Sequence, residues 1–340
     1  MTRATLIAAL MALGTARACA QTSASEVLQH TTFGGYVIAQ VNATDQARAS
    51  RNSDMSIRLA RLYVDSRLGD VAFKLQMQVN GNSSTLSSPR VLDAWAEWQR
   101  WAAFRLKAGQ MKRCFTFENP QHPWLIGFGA YSQLTDRLAG FNDRTGEHPS
   151  NGRDFGIQVQ GDVLPVGTDS HSLLHYQAGV YNGQGTNHSD RNSRKDVIGG
   201  LTVSPWKPLQ VGLFGWRGDY VHTDGTTLQR RRMSVGVNYV EQWLLRAEWA
   251  VDAAAGRADA WYVAVGTPPV CDTRVYARWD VYREGRTWSN AHSICAISAM
   301  HTFHKNLALQ LNYGRHLNKL ATNTSGCHYN TADVQLYWRF

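Results

Sequence analysis

Basic side chains that alternate with apolar ones are the residues whose type and spacing could do chemistry in this chain. The basic members of the polar faces are Arg61, Arg67, Lys74, Arg105, Lys107, Arg246, Arg274, Arg278 and Arg339, and the acidic members are Asp65, Asp93, Glu97, Asp154, Asp162, Glu248 and Asp280. If these faces surround water, nine cations against seven carboxylates attract anions weakly, by a Coulomb force that salt screens. Cross-strand pairing of opposite charges would instead leave the same surface polar and unselective.

Catalytic and metal-binding motifs are missing from the sequence. It contains no Gly-x-Ser-x-Gly, His-Glu-x-x-His or Cys-x-x-Cys, and no glycine-rich phosphate loop. The twelve histidines are dispersed, and only His175 and His301 stand out as candidates within predicted strands. We therefore predict that the chain is not an enzyme and has no cofactor and no metal site. The absence of a basic helix or an aromatic-basic motif also argues against a nucleic-acid partner.

Residues 1–20 have the pattern of a secretory signal peptide. A positive start and the apolar run Leu6–Leu13 precede the small-residue cleavage site Ala18-Cys19-Ala20. A lipoprotein signal through Cys19 fits less well, because no leucine lies three residues before that cysteine. We expect residues 21–340 to form one exported domain.

The composition of the predicted exported domain limits its partners further. The whole chain has a formal net charge of +9, mostly scattered arginine, which suits anionic solutes or lipid phosphates. The cysteines of the predicted exported domain are Cys114, Cys271, Cys295 and Cys327. Their spacing matches no zinc or redox motif, and either disulfides or unpaired thiols are compatible with an exported protein.

Period-two alternation of apolar and polar residues is the main structural signal, and it runs to the end of the chain. In residues 332–340 every second position is apolar, up to the terminal Phe340. No later segment remains to cover this apolar face, whereas in an outer-membrane barrel lipid covers it and water fills the interior. No apolar run in the exported domain approaches the ~20 residues of a spanning helix. The predicted fold class is therefore an all-β, transmembrane antiparallel β-barrel in the bacterial outer membrane.

Sixteen strands are predicted, an even number that places both termini on the periplasmic side. They are Phe33–Asn42, Ser56–Leu68, Val71–Asn80, Arg90–Gln99, Phe104–Met111, Arg153–Asp162, Leu173–Asn182, Asp196–Pro205, Leu209–Gly218, Arg231–Val240, Trp243–Ala253, Ala258–Pro268, Thr273–Arg283, Ser293–Phe303, Asn306–Gly314 and Ala332–Phe340. Very short connections such as Gly69-Asp70 alternate with longer polar ones, as short periplasmic turns alternate with external loops. Eighteen strands are the alternative, if Pro123–Leu134 contains two more rather than a short helix.

The third external connection, Lys112–Gly152, is far longer than the others and lacks the alternation. Loops beyond ~12–15 residues are usually functional or disordered, and a sixteen-strand barrel is wide enough to need narrowing. We expect this loop to fold into the lumen and constrict it; an external lid or a contact between trimer subunits is the alternative. Its basic residues, the candidate constriction residues, are Lys112, Arg113, Arg137 and Arg144, and its acidic residues are Glu118, Asp136, Asp143 and Glu147.

Several segments share motifs with one known family. Gly109-Gln110-Met111-Lys112, followed by Cys114-Phe115-Thr116-Phe117-Glu118, is similar to the pattern Gly-Gln-x-Lys-x-Pro-Phe-x-x-Glu. Gly152–Gln158, His175–Gly183 and Lys195–Leu201 show further similarity. Together these motifs resemble the phosphate-selective porin O and P family, over essentially the whole exported domain, and most resemble the branch found in Bacteroidetes.

The resemblance implies a sixteen-stranded trimeric barrel that passes small solutes by diffusion and is narrowed by its third loop. Cys114 stands where the family usually has proline, which loosens the turn expected there. Phosphate-selective members line the pore with an arginine ladder and place lysines at the constriction, whereas this chain has only Lys112 at the start of that loop. The resemblance to the family therefore does not imply phosphate selectivity for this chain.

These observations predict an outer-membrane porin that lets small hydrophilic solutes diffuse, with a mild preference for anions such as phosphate. A structural or adhesion barrel with a blocked lumen, acting through its external loops, is the alternative. The expected partners are outer-membrane lipids, lipopolysaccharide, small solutes and further copies of the chain in a homotrimer. The run Arg230-Arg231-Arg232 at the external end of a strand either meets lipopolysaccharide phosphates or lies at a solvated loop edge.

Overall fold

The computed structural model describes residues 28–47, 49, 52–80, 89–254, 256–320 and 327–340. In these ranges sixteen antiparallel strands close into one barrel, which confirms the predicted fold class and strand count. The strands are β1 (Thr31–Thr44), β2 (Ser53–Leu68), β3 (Val71–Gln78), β4 (Arg90–Trp101), β5 (Phe104–Lys112), β6 (Arg153–Val166), β7 (His171–Tyr181), β8 (Asp196–Trp206), β9 (Leu209–Val221), β10 (Thr227–Val240), β11 (Leu244–Asp252), β12 (Ala258–Gly266), β13 (Thr273–Glu284), β14 (Ala291–His304), β15 (Leu307–Asn318) and β16 (His328–Arg339). The predicted signal peptide, residues 1–20, lies outside the described residues. No helix in the described ranges is long and apolar enough to cross a membrane.

The helices between the described strands are short. Helices α1 (Pro123–Ile126) and α2 (Gln133–Leu138) both lie between β5 and β6, and a 3-10 turn spans Trp288–Asn290. The His122 side chain accepts a hydrogen bond from the Trp124 backbone N–H and begins α1 with proline at the first helical position. The eighteen-strand alternative is wrong, because this connection forms helices and no further strand pairs here.

The connections between strands alternate in length around the barrel. At one end, β2 and β3 are joined by two residues, and Gly69 adopts the left-handed conformation that this tight turn requires. At the other end, β5 and β6 are separated by residues 113–152. Short turns at the periplasmic end and longer loops at the external end are typical of outer-membrane barrels, and this pattern orients the molecule.

The two faces of the sheet have opposite chemistry. On β16, Val334 is 41% exposed and Trp338 is 53% exposed, whereas Gln335 and Tyr337 between them are only 1% and 2% exposed. The apolar side chains therefore point out of the barrel and the polar ones point in, the reverse of a soluble protein. Such an arrangement is stable only where lipid surrounds the barrel and its backbone hydrogen bonds close on themselves.

A β-bulge in β2 interrupts the alternation. The pairing of β1 with β2 shifts by one residue between Ile38 and Ala39, so that Arg58 is the extra residue. Arg58 consequently points inward, where its guanidinium donates to the side-chain oxygen of Gln335 at 2.9 Å. Strict alternation counted from Arg61 places Arg58 on the outer face, and the bulge reverses that assignment.

The C-terminal residues close the barrel. Val37 pairs with Trp338 across the β1–β16 seam, and the backbones of Gly35 and Phe340 exchange two hydrogen bonds of 3.0 Å. The terminal Phe340 is thus part of the closing ladder and leaves no unpaired strand edge there.

Replacing Val334 by arginine puts a charge in the outward apolar face of β16. We expect V334R to lower the free energy of unfolding by about 2–4 kcal/mol, the cost of an arginine near the bilayer midplane on a barrel. Denaturant titration of tryptophan fluorescence in lipid vesicles measures this loss. S289R adds the same charge in the external 3-10 turn and should cost less than about 0.5 kcal/mol. Equal losses in the two variants would contradict contact between this face and lipid.

Candidate functional site

The connection between β5 and β6, residues 113–152 (the inner loop), runs inside the barrel. Its helix α2 packs against β11, β12 and β13, and Leu134 and Leu138 are fully buried there in one apolar cluster. Wall positions in the same cluster include Ala250 and Ala260, whose small side chains leave room for a helix. The inner loop therefore covers one half of the barrel's inner wall.

Two wall carboxylates bind the backbone of the inner loop. Glu248 of β11 accepts hydrogen bonds from the backbone N–H groups of Phe117 and Glu118, at 2.7 and 3.0 Å. Asp280 of β13 accepts one from the backbone N–H of Gln133, at 3.0 Å, where α2 begins. These contacts satisfy backbone donors that would otherwise be buried without partners. Glu248 and Asp280, expected as charges of a water-filled wall, are used to hold the loop.

Buried ion pairs fix both ends of the inner loop. Arg113, at its start, contacts the carboxylates of Glu147 and Asp154, each at 2.9 Å. Arg230 of β10 pairs with the same Glu147 and lies 3.1 Å from Asp196 of β8. Glu147 thus joins the two ends of the loop to each other and to the barrel wall.

A second set of ion pairs holds the middle of the loop. Arg232 of β10 contacts Asp143 at 2.6 Å and Asp252 at 3.0 Å. Arg144 of the loop lies 3.3 Å from Asp252 and also pairs with Glu284 of β13. Together with the pairs of the preceding paragraph these interactions form the anchor cluster, whose basic members are Arg113, Arg144, Arg230 and Arg232.

The indole of Trp216 on β9 lies at the centre of the anchor cluster. The guanidinium carbons of Arg113, Arg230 and Arg232 lie 4.7, 5.0 and 4.8 Å from the centre of its ring. Burial lowers the pKa of Arg113, but Glu147 and Asp154 reverse this effect, so its pKa lies above the usual range. Arg113 therefore stays ionised, and its positive charge is neutralised by carboxylates before any solute could meet it.

Across the lumen from the inner loop, strands β2 to β6 carry a second group of basic side chains. Four of these form ion pairs with carboxylates on other strands of this wall: Lys74 with Asp65 at 2.8 Å, Lys107 with Glu97 at 3.6 Å, Arg153 with Asp93 at 2.8 Å, and Arg105 with Asp162. Cross-strand pairing of opposite charges, one of the two alternatives from the sequence, therefore applies to these four residues.

Two basic residues of this wall are different. Arg61 donates to the phenol oxygen of Tyr36 at 2.8 Å and to the amide oxygen of Gln78 at 3.2 Å. The Lys112 ammonium donates to the amide oxygen of Asn119 at 3.2 Å. Within the described ranges neither cation forms an ion pair with a carboxylate. Their positive charges are therefore not cancelled locally.

Two cavities lie between this wall and the inner loop. The inner cavity has a volume of about 380 Å³, and its charged lining residues are Arg61, Lys74, Lys107, Lys112, Arg113, Arg153 and Asp93. The outer cavity, of about 490 Å³, is lined by Arg58, Asp136 and Arg137 among others. Arg61 and Tyr131 line both cavities. The junction between Arg61 of the wall and Tyr131 of the inner loop is therefore the candidate constriction.

The imidazole of His122, on the inner-loop side of the inner cavity, reports the local charge. Burial, followed by the positive charges of Arg61 and Arg339, lowers the pKa of His122 to about 4. His122 is consequently neutral at physiological pH, and its ring packs edge-on against Tyr36 with the centroids 4.4 Å apart. The nearby arginines therefore make the electrostatic potential at this point of the lumen positive.

The twelve basic residues predicted to line the pore fall into three groups. Those whose side chains border one of the two cavities are Arg61, Lys74, Lys107, Lys112 and Arg137. Those that hold the inner loop are Arg113, Arg144, Arg246 and Arg278. Those at the periplasmic ends of their strands, away from both cavities, are Arg67, Arg105 and Arg274.

The second group requires a correction. Arg246 donates to the carbonyl oxygen of Leu125 at 3.0 Å, and Arg278 donates to that of Ala130 at 3.1 Å. The side chain of Arg113 borders the inner cavity but has no exposed surface. These arginines do point inward, as alternation requires. They meet the inner loop instead of water because that loop covers their half of the wall.

Other residues of the site were not singled out from the sequence. Arg58 was missed because no sequence signal marks the bulge in β2. Arg230 and Arg232 were assigned to the external surface, and that prediction is wrong for both, since each is buried in the anchor cluster. Alternation along β10 offered a usable signal: both share a face with the polar residues Ser234 and Asn238, which are buried. Arg231 alone points outward.

Cys114, Cys271 and Cys295 are free thiols. Cys114, which replaces the proline usual in the resembling motif, is buried and donates to the carbonyl oxygen of Ile198 at 3.3 Å. Burial raises the pKa of Cys114 to about 11, so its thiol stays protonated and unreactive. It packs the start of the inner loop against β8.

Solved structures with the same architecture are outer-membrane channels and proteins. Salmonella typhi OmpF in complex with daunomycin aligns with a TM-score of 0.62 and 11% identity, covering 91% of this chain and 97% of that chain. The loop L8 deletion mutant of Vibrio cholerae OmpT aligns at 0.61 and 13%, covering 91% and 99%. The outer membrane channel DcaP of Acinetobacter baumannii aligns at 0.60 and 13%, covering 91% and 97%. At these identities the similarity shows the fold.

Sequence comparison identifies the family. Among curated proteins no sequence match was found. The profile described as phosphate-selective porin O and P matches residues 35–255, which is well over half of the chain and includes the inner loop and most of the candidate site. The resemblance to this family is thereby confirmed over residues 35–255. The chain belongs to the phosphate-selective porin O and P family and is a channel protein of the outer membrane.

Proposed function

We propose that this porin conducts small hydrophilic solutes by passive diffusion with a mild preference for anions. One observation carries the proposal: the charged residues lining the inner cavity are six cations and a single carboxylate, Asp93. The positive charges of Arg61 and Arg339, which add to burial in lowering the pKa of His122, support the same sign. A surface of this kind concentrates anions and repels cations as they approach the constriction.

The preference is mild because most of these cations are paired. After the ion pairs of Lys74, Lys107, Arg153 and Arg113 are taken into account, Arg61 and Lys112 remain. Both side chains border the inner cavity, and at an effective dielectric constant well above that of dry protein each charge contributes about 1 kcal/mol. That is enough to bias diffusion and too little to trap a solute.

The neutral lining suits transit of a hydrated anion. Gln76, Gln158 and Gln160 line the inner cavity with amides that can replace part of a hydration shell. The planar guanidinium of Arg61 can offer two parallel N–H donors to a carboxylate or a phosphate. Weak contacts at several sites allow entry and release, as conduction requires.

We further propose that residues 1–20 are removed as a signal peptide, that the chain has no catalytic activity and that it assembles as a homotrimer. A trimer form of Vibrio cholerae OmpT, 12% identical to this chain, supports the oligomer by analogy of fold. The N-terminal sequence of the purified protein tests the removal of residues 1–20. Light scattering of the detergent-extracted protein tests the homotrimer.

Neutralising the two unpaired cations tests the anion preference. We expect R61Q/K112Q to reduce the chloride-to-potassium permeability ratio severalfold and by no more than about thirtyfold, since the two lost charges together contribute up to about 2 kcal/mol. Reversal potentials across a potassium chloride gradient in planar bilayers give the ratio. R67Q is the matched control, because Arg67 lies on the same face of the same strand but outside both cavities. An unchanged ratio in R61Q/K112Q, or cation preference in the wild type, would contradict the proposal. A folded wild-type barrel without conductance would favour the blocked structural barrel.

Breaking the anchor cluster tests the role of the inner loop. R232Q leaves Asp143 buried without an ion-pair partner and Asp252 with Arg144 alone, at a cost of about 3–5 kcal/mol, so this part of the loop should loosen from the wall. We expect single-channel conductance to rise and to become noisier. R231Q is the adjacent control, since Arg231 points away from the lumen. Conductance in R232Q equal to that of wild type, in a correctly folded barrel, would rule out the loop as the constriction.

Asp136 predicts a pH dependence of selectivity. Its side chain is 34% exposed at the outer cavity, and burial raises its pKa to about 6, against the opposing effects of Asn142 and Arg137. The carboxylate is therefore charged at pH 7.5 and neutral at pH 5, which makes the outer cavity more positive in acid. The anion preference should increase as the pH falls through about 6. D136N should show the higher preference throughout this range; the same pH step in D136N would assign it to another group.

A further inference from the structure

Two arginines face each other on the outside of the barrel. Arg217 of β9 and Arg231 of β10 are directly opposite in the strand register, and both are exposed. In the ranges that the structure describes, no side chain forms an ion pair or a hydrogen bond with either guanidinium. Like charges directly opposite on neighbouring strands are destabilising unless an anion lies between them. The pair therefore requires a counterion from outside the protein.

More basic residues surround this pair. Arg194 and Lys195, just before β8, line the same surface cavity of about 430 Å³, and we refer to Arg194, Lys195, Arg217 and Arg231 as the outer basic patch. Arg194 pairs with Asp219 at 3.1 Å, and Lys195 pairs with Asp190. Four cations against two carboxylates leave two positive charges, those of Arg217 and Arg231.

The height of the patch on the barrel matches the lipid phosphates. Tyr239, near the periplasmic end of β10, lies on the same outward face eight residues from Arg231. Eight residues at about 3.3 Å each, tilted by about 40°, span roughly 20 Å of the apolar band, which is about 25 Å tall. Arg231 and Arg217 therefore lie at the external limit of that band, where outer-leaflet headgroups begin.

An apolar groove continues from the patch into the band. Directly below Arg217 the register pairs Gly199 with Gly215, and an added Cβ at Gly215 would meet nothing within 4 Å. Exposed apolar side chains border this gap: Val197, Leu213 and Met233. The missing side chain of Gly215 leaves open space between these apolar neighbours, where a hydrocarbon chain can pack.

We propose that the outer basic patch binds a phosphate group of lipopolysaccharide and that the Gly199–Gly215 groove holds one of its acyl chains. The two guanidiniums of Arg217 and Arg231 can each donate two N–H groups to the same phosphate, and its charge removes their mutual repulsion. Charge above and an apolar groove below favour a lipid over inorganic phosphate, which would use only the upper half of the site. The site is on the outer wall and is separate from the pore.

Lipid binding to the detergent-extracted full-length protein tests this assignment. Binding of bis-phosphorylated lipid A is compared with that of phosphate-free lipid A, by native mass spectrometry of bound lipid per protomer. We expect R217A/R231A to bind lipid A about thirtyfold more weakly, since each basic residue near an anionic lipid surface contributes about fivefold. The single-channel conductance of this variant should equal that of the wild type, which would show that the barrel is folded and its pore is intact.

The control removes two charges elsewhere. K207A/K305A lowers the net charge by the same amount in two exposed periplasmic turns, and it should bind lipid A as the wild type does. Equal affinity of wild type and R217A/R231A would overturn the proposal, as would equal loss in the two double variants. Displacement of lipid A by an excess of inorganic phosphate would also overturn it, because the site would then recognise a free anion.

A second variant tests the groove without changing charge. G215L fills the groove, and the space around Gly215 makes the substitution compatible with the fold. We expect G215L to weaken binding of lipid A severalfold while leaving any binding of inorganic phosphate unchanged. If G215L binds lipid A with the affinity of the wild type, the groove does not hold an acyl chain.

Discussion

The anchor cluster is the interaction on which the rest of the interior depends. Its arginines and carboxylates are buried without exposed side-chain surface at Arg113, Arg230 and Arg232, so each charge is stable only while its partner is present. Because the partners come from both the inner loop and the wall, the loop can be displaced only by unpairing several buried charges together. The cluster thus makes the position of a long loop as definite as that of a strand.

This use of charge limits what the pore can select. The chain carries a net charge of +9, yet many of its inward cations are paired to carboxylates of the loop or of adjacent strands. We propose that the charge that a solute meets in the inner cavity is set by the residues left over there, Arg61 and Lys112, on the half of the wall that the loop does not cover. Net charge therefore overstates the selectivity of the channel, and the pairing pattern determines it.

The sequence predicts the strands and their faces well because both follow from a local, period-two pattern. It predicts the partners of inward residues poorly. Arg61 and Arg278 have the same pattern in sequence, but Arg61 borders a cavity and Arg278 donates to the inner loop at Ala130. That difference depends on which half of the wall the loop covers, and contacts between residues about 150 positions apart leave no local signal. The bulge at Arg58 could not be predicted for a related reason, because one extra residue in a strand leaves no mark in the local composition or in the alternation on either side of it.

The tripeptide Arg230-Arg231-Arg232 shows how a barrel strand separates two functions at adjacent positions. The outer residue faces the lipid boundary while its two neighbours hold the inner loop, and the sheet itself lies between them. Three consecutive arginines on a helix or in a loop would repel one another and share one environment. On a strand, successive side chains point to opposite sides, so each can be neutralised by a different partner. Consecutive like charges on a strand of such a protein therefore belong to two different surfaces. Each position must be assigned to the inner or the outer face before a role is inferred for it.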